Sequence, residues 1–444
     1  MFCKMKRMRT KLFIAAAGIL LAVLPVSAQQ KEWTLTECID YALNENIQVR
    51  KAGVSASVGE INLQQAKDDR WPNLSASAGE SLGWQQITDD NDVSLLEGSS
   101  RTSLSVGSSI SLFNGFQVQN GIRQAELNYK GLQYSTEETK ESVTLSIMSA
   151  FLQVLYAEEQ INNSRNQVDA TREELALAKE RYALGAIANS DYLQVKTQLA
   201  GEELTLANAI NTLDMAKVTL MQLMELPAGN TFEIVRPDID AIISTTPAAD
   251  AADVYAEALA VKPQVKYAEI NKESAVIDLD LAKGGYYPSL SLNAGVNTAF
   301  AEAAFMGSEI KNNFASSVGL SLSVPIFSNN RNKSSVSRAK AGITTAELDE
   351  LNTKNQLRKE IEQACLDARS SAISFNAAVN QYEASLESYN VAEEKFKLGA
   401  MNSVDFLIQK TNMTSSESNL LQAKYELVYS YKIIDFYRGV PLSF

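Results

Sequence analysis

The sequence predicts an α+β membrane protein made of two copies of one unit, each giving a long helical hairpin and a β-hairpin. Three observations carry this prediction. The second half of the chain repeats the first, two stretches of more than a hundred residues lack proline, and four segments alternate apolar with small polar residues. Residues 66–79, AKDDRWPNLSASAG, return 216 positions later as AKGGYYPSLSLNAG with seven of fourteen identical. Residues 180–195, ERYALGAIANSDYLQV, return 214 positions later as EKFKLGAMNSVDFLIQ. An offset this long is no solenoid period, so it marks a duplicated supersecondary unit.

The chain opens with Lys4, Lys6, Arg7, Arg9 and Lys11, then an apolar run from Leu12 to Val26, and Val26-Ser27-Ala28 suits a signal peptidase. Residues 1–28 therefore read as a secretory signal. Removing it takes the formal charge from −13 to −18, an acidic balance that argues against a nucleic-acid partner. Cys38 and Cys365 are the only cysteines left, at unmatched places in the repeats, so they read as idle or buried thiols. No cysteine stands at the cleavage site to take a lipid.

The chain has no histidine, which removes Ser-His-Asp and Cys-His triads and His-ligated zinc. No P-loop, dinucleotide fingerprint or paired-acid motif appears. The chain reads as a non-enzyme, and no cofactor or metal is expected.

Taken in order, repeat 1 spans 29–226, a linker or irregular belt spans 227–250, and repeat 2 spans 251–444. Each repeat opens on a helix. The strands follow: Leu74, Ala76, Ala78, Leu82 and Trp84 alternate with Ser75, Ser77, Gly79, Ser81 and Gly83, and Leu104, Val106, Ile110 and Leu112 with Ser105, Gly107, Ser109 and Ser111. Repeat 2 does the same with Leu290, Leu292, Ala294 and Val296, and with Val318, Leu320, Leu322, Val324 and Ile326. These give β-hairpins at 74–113 and 290–327, with strands of about ten residues and polar loops at 85–103 and 300–316. An apolar face opposite a Ser, Gly and Asn face suits a lipid-facing barrel with a wet interior, and aromatics such as Trp71, Trp84, Tyr286, Tyr287 and Phe327 flank the strands. A soluble sandwich alternates in the same way. Four strands cannot close a barrel, so the membrane reading demands several chains, eight strands from a dimer or twelve from a trimer.

The proline-free stretches hold helical hairpins at 118–225 and 331–438. Their long arms, 118–184 and 331–398, are rich in Ala, Leu, Glu, Gln and Lys, and at ~1.5 Å per residue extend roughly 100 Å. Leu145, Met148, Leu152 and Leu155 form one apolar stripe and Val143, Ile147, Phe151 and Val154 a second beside it, as for a helix packed on two sides. One wide face on an ordinary bundle core would look similar. Leu184-Gly185 and Leu398-Gly399 supply the helix stops, and Asn189 and Ser403 the expected N-caps of the returning helices.

This pattern resembles the TolC family of outer-membrane efflux channels over residues 33–442, through WPNLS at 71–75, YPSLS at 287–291, VPIF at 324–327, RYALGAIANSDYL at 181–193 and KFKLGAMNSVDFL at 395–407. The resemblance implies a homotrimer whose long α-helical barrel is continuous with a transmembrane β-barrel, four strands per chain. It also implies a place in the outer membrane of a Gram-negative bacterium, with the helices in the periplasm. Such a channel is the passive exit duct of a tripartite efflux or type I secretion system. Its partners are outer-membrane lipid, a periplasmic adaptor (membrane fusion) protein and an inner-membrane transporter. A periplasmic adaptor or structural coiled-coil protein is the alternative; there a single helical hairpin and unrepeated β domains are expected.

By the same resemblance, Leu184, Gly185, Ala186, Leu398, Gly399 and Ala400 become candidates for adaptor docking. Asp405 becomes the candidate acid ring of the constriction, with Asp191 at the equivalent place. Either acid also suits the first turn of a helix. Ile408 replaces a second ring acid, Met401 an arginine and Phe396 a tyrosine of family members, so either apolar packing of Phe396, Met401 and their neighbours holds the tip shut in place of a polar latch, or the tip opens more easily.

Overall fold

The computed structural model describes residues 32–88, 94–227, 232–245, 250–301 and 313–444. The signal segment 1–28 and most of the 300–316 loop lie outside them. Helix α1 (Leu35–Glu45) starts on a capping box: the Thr34 hydroxyl accepts from the Glu37 amide while the Glu37 carboxylate accepts from the Thr34 amide. Asn46 caps α2 (Ile47–Asp68), and its side-chain amide also donates to the Leu223 carbonyl at 2.8 Å. Strands β2 (Asn73–Thr88) and β3 (Ser94–Asn114) then lead into helix α3 (Gln117–Ala183) and its return, α4 (Asn189–Leu223).

The second half has the same order. After β4 (Glu233–Ile234) and α5 (Ile239–Thr245) come α6 (Ala251–Val261), α7 (Pro263–Gly284), β5 (Ser289–Ala301), β6 (Ala315–Ser323), α8 (Arg331–Lys397) and α9 (Ser403–Tyr437). Both α3 and α8 have 67 residues, about 100 Å at 1.5 Å per residue, and both returns have 35. Among the described residues no helix is long and apolar enough to cross a membrane.

One antiparallel sheet, in the order β2-β3-β5-β6, joins the two halves. Its register sets Ala76 beside Val106 and Val106 beside Val296, and Ile110 beside Leu292 and Leu292 beside Leu320. The opposite face aligns Ser77 with Ser105 and Ser105 with Asn297. One face is thus apolar across all four strands and the other small and polar.

The structure corrects the strand lengths. Strands β2 and β3 have 16 and 21 residues and stay paired as far as Thr88 and Ser94, so most of the expected 85–103 loop is a β-ribbon. Strand β6 stops at Ser323, leaving Val324 and Ile326 beyond it, because Pro325 has no amide for the ladder. A bulge between Ser111 and Phe113 skips Leu112, so Phe113 takes the place opposite Leu290 and the alternation shifts by one residue.

The apolar core lies around the middle of α3. Val143, Ile147, Met148, Phe151, Leu152, Val154 and Leu155 are buried there with Leu35, Cys38 and Ala42 of α1, Leu220 of α4, and Leu421, Tyr425 and Val428 of α9. Leu145 packs against the same cluster from a partly buried position. Both stripes therefore enter one cluster, with neighbours from several elements at once. The segment between the repeats adds to it: Phe232, Ile234 and Ile239 are buried in the cluster, and β4 pairs in parallel with β1 (Glu32–Trp33). Cys38 is buried and Cys365 half-buried.

A smaller cluster of Val254, Ala258, Val265, Leu357, Ile361, Ala368 and Ile434 lies where α6, α7, α8 and α9 meet. Beside it Lys262, 2% exposed, pairs with Glu141 at 3.1 Å and lies over the Phe436 ring at 3.3 Å from the centroid. Burial pulls the Lys262 ammonium below its ordinary range and pushes the Glu141 carboxyl up, each against the attraction of the other. The pair thus works against desolvation. Replacing both, as Lys262→Met with Glu141→Leu, should leave thermal stability unchanged or raise it by about 1 kcal/mol, whereas Lys262→Met alone should cost about 1–3 kcal/mol, less than for a fully buried pair because Glu141 is one-third exposed. Circular-dichroism melting of the two variants beside the wild type checks this.

Candidate functional site at the helical tips

The chain reverses direction twice with the same backbone device. Gly185 has φ +69° and Gly399 φ +72°, the left-handed region that other residues enter only at a cost. At the first turn the Ala186 amide donates to Arg181 O and the Gly185 amide to Tyr182 O. At the second turn Ala400 donates to Lys395 O and Gly399 to Phe396 O. This is the Schellman pattern, and it satisfies carbonyls that the helix end leaves open. Just before each glycine an apolar side chain stands in solvent, Leu184 at 84% and Leu398 at 81% exposure. Ala186 and Ala400 are exposed as well.

The expected caps of the return helices shift by one residue. Ala188 precedes α4 without a side-chain cap, and Asn189 is the first helical residue. Asn402 caps α9 by accepting from the Asp405 amide at 2.8 Å, and its own amide donates to Asp405 Oδ2 at 2.8 Å. Ser403, the residue expected to cap, is buried instead. Its hydroxyl lies 3.1 Å from Asp191 Oδ1 and 3.2 Å from Gln194 Oε1, joining the second hairpin to the first.

The two tips share further contacts. The Arg181 guanidinium donates to the Lys397 carbonyl at 3.2 Å, satisfying a group at the C-terminal end of α8. Phe396 stacks on Phe406 with centroids 4.6 Å apart and planes at 7°, and in the other copy Tyr182 stacks on Tyr192 at 5.6 Å and 10°. Between the tips runs a cleft of about 360 Å³ whose lining includes Asp191, Phe396, Met401, Ser403 and Phe406. Asp405 and Ile408 lie outside that lining; Asp405 is exposed and Ile408 is 50% exposed. The structure thus brings Asp191, Phe396 and Met401 together and leaves Asp405 and Ile408 on another side of α9.

Deeper between the hairpins is a charge cluster that sequence reasoning missed. The Lys410 ammonium of α9, 2% exposed, lies 3.0 Å from both carboxylate oxygens of Glu174, 2.5 Å from Thr171 Oγ1 and 3.9 Å from Glu202. Thr171 donates to Glu202, which also accepts from Gln198 at 2.8 Å. Burial raises the Glu174 carboxyl against the pull of Lys410, and it pushes the Tyr389 phenol up to about 12 with help from Glu174, Glu393 and Glu202. A lone lysine one turn after Phe406 and Leu407 gives no sign of the acids that meet it, because they lie on other helices. A signal did exist in the repeat, because the cluster's acids have no counterparts in the second copy.

Three comparisons with known proteins bear on this geometry. The chain is 21% identical over 409 residues to toxin and drug export protein A of Aggregatibacter actinomycetemcomitans, covering 90% of this chain and 84% of the relative. It is 22% identical over 408 residues to outer membrane protein TolC of Escherichia coli K12, covering 88% and 79%. A crystal structure of CusC superposes with a TM-score of 0.78 at 15% identity, over 92% of this chain and 93% of that one, which is a likeness of fold. The family model described as outer membrane efflux protein matches residues 38–225 and 254–435, one stretch in each half, and the chain belongs to that family.

Proposed function

We propose that three copies of this chain close into one conduit through the outer membrane, the passive exit duct of a tripartite efflux or type I secretion system. The observation that carries this reading is the sheet. Its apolar side chains stand bare, with Leu74 77%, Val318 77% and Leu320 67% exposed, and its outer strands β2 and β6 have no further neighbour among the described residues. Twelve strands from three chains would pair those edges and turn the apolar face to lipid. The 100 Å hairpins would continue the wall into the periplasm, and their tips, with Leu184, Gly185, Ala186, Leu398, Gly399 and Ala400, would meet a periplasmic adaptor that links the duct to an inner-membrane transporter. The bare leucines suit an apolar partner surface.

At the constriction, threefold symmetry would bring three Asp405 carboxylates into one ring that favours cations, with Ile408 below it and the Phe396 and Met401 packing behind it. The hydrogen bonds to Asn402 support a second role, holding the Asn402 cap at the start of α9. Selectivity separates the two.

The purified protein in planar lipid bilayers should give discrete conductance steps; its absence from the outer-membrane fraction together with a silent bilayer would overturn the duct. The substitution Asp405→Asn should lower the cation-over-anion permeability ratio at least about twofold, and an unchanged ratio would assign the acid to capping alone. For docking, Leu184→Glu with Leu398→Glu should abolish export in cells while the trimer still assembles, since both side chains are exposed and leave the helix stops intact. Normal export by that variant would refute the tip assignment.

A further inference from the structure

At the opposite end of the helices, next to the sheet, one copy of the repeat carries a basic patch that the other lacks. Strand β6 stops at Ser323, and Ile326 and Phe327 follow at 95% and 77% exposure before α8 begins at Arg331. Tyr286 and Tyr287 are exposed on the same rim, where α7 gives way to β5, and the Asn332 side chain ties the start of α8 to that junction by donating to the Gly285 carbonyl. Residues 331–340 then hold Arg331, Lys333, Arg338 and Lys340 and no acid, in a chain whose net charge is −13. All four are exposed. Lys283 at the end of α7 pairs with Asp280, but none of these four makes an ion pair among the described residues, and Arg338 reaches only the Ser335 hydroxyl.

The first copy shows that the helix start does not require these charges. Helix α3 begins at Gln117, 214 residues before Arg331, and each helix follows a left-handed residue, Phe116 at φ +64° and Asn330 at φ +58°. At that offset Arg331, Lys333, Arg338 and Lys340 correspond to Gln117, Gln119, Gln124 and Glu126. The backbone is the same and the charge is not. Lys333 and Lys340 are seven residues apart, hence on one face of a packed helix, and further steps of seven lead to Ile361 and Ala368, buried in the cluster that α6 covers. Arg331 and Arg338 share a different face, whose steps of seven reach Asn352 and Lys359 in a polar groove between α8 and α9. Helix α6 is a second layer over α8, which a conduit accommodates on its outside, so Lys333 and Lys340 face outward.

We propose that Lys333 and Lys340 hold the headgroup phosphate of an anionic phospholipid in the membrane leaflet on the helix side, with its acyl chains laid against Ile326 and Phe327. The outward direction of this face rests on the duct reading. Lys333 lies about 3 Å and Lys340 about 14 Å along the axis from the start of α8, and helical side chains lean back toward that start, so both ammonium groups reach one headgroup layer. Each lysine close to an anionic surface strengthens attachment about fivefold, and the effect weakens with salt. A neutral Gln119 and an acidic Glu126 give the first copy no such pull. A three-chain ring then carries three of these lipids rather than six.

The test titrates the full-length protein, stripped of lipid in a non-ionic detergent, with phosphatidylglycerol or with zwitterionic phosphatidylcholine, and counts bound lipid by native mass spectrometry. Wild type should take one phosphatidylglycerol per chain and prefer it over phosphatidylcholine at least about tenfold. Lys333→Gln with Lys340→Glu, which installs the residues of the first copy, should remove that preference. The converse pair, Gln119→Lys with Glu126→Lys, changes two exposed residues, leaves the original site untouched and should add a second phosphatidylglycerol per chain. Equal binding of the two lipids by wild type, an unchanged preference in the first variant or no added lipid in the second would overturn the site. A wild type that is silent in planar bilayers yet prefers phosphatidylglycerol would refute the duct and keep the site, while a conducting protein without the preference would refute the site alone.

Discussion

An open sheet edge is the constraint on which the proposed architecture depends. Strands β2 and β6 end the four-stranded sheet, and each presents a row of backbone N–H and C=O groups with no strand beyond it among the described residues. In hydrocarbon each unpaired group costs several kcal/mol, and in water such an edge invites association with other chains. The apolar side chains across the same sheet add to the demand, since Leu82, Val106 and Leu322 stay exposed in the single chain. In the proposed duct a four-stranded sheet of this kind is a half-turn or third-turn of a closed barrel. Its closure fixes the stoichiometry, and the helices that leave it inherit the same ring.

Burial within the chain follows from that division. The apolar core gathers where α3 crosses α1, α4, α9 and the segment between the repeats, and there the chain is self-sufficient. Elsewhere the long helices keep Leu204, Met215 and Val218 of α4 and Leu348, Leu351, Leu366 and Ile373 of α8 exposed. Those residues suit packing against further helices on both flanks. Contacts inside one chain, among them the Ser403 bonds and the Lys410 cluster, are polar and geometrically specific. Such contacts set the relative register of two hairpins more sharply than an apolar seam does.

Much of this was legible in the sequence, for identifiable reasons. The absence of proline and the Leu-Gly stops announced the long helices and their reversals, because both act through the local backbone. The alternation at 74–84 and 318–322 announced the sheet faces for the same reason. The strand lengths were less legible: the run of Gly, Ser and Thr through 97–103 reads as loop by propensity, yet cross-strand pairing carries it as strand as far as Ser94. The bulge at Leu112 and the end of β6 before Pro325 depend on register, which no single strand reveals. At the tips, Phe396 was singled out but its partner Phe406 was not, since stacking across a hairpin joins residues ten apart on different helices. Ser403 reads as a cap, and nothing in the local sequence singles out Lys410. Their burial between hairpins is a tertiary fact, visible in sequence only as the mismatch between copies.

The most direct measurement of the central claim is the native mass of the detergent-solubilised protein after signal removal. Native mass spectrometry should return three copies of the chain, held together until the detergent micelle is stripped and the complex is heated. A single copy that remains folded and monodisperse would contradict the account, because the open edges of β2 and β6 would then need no partner.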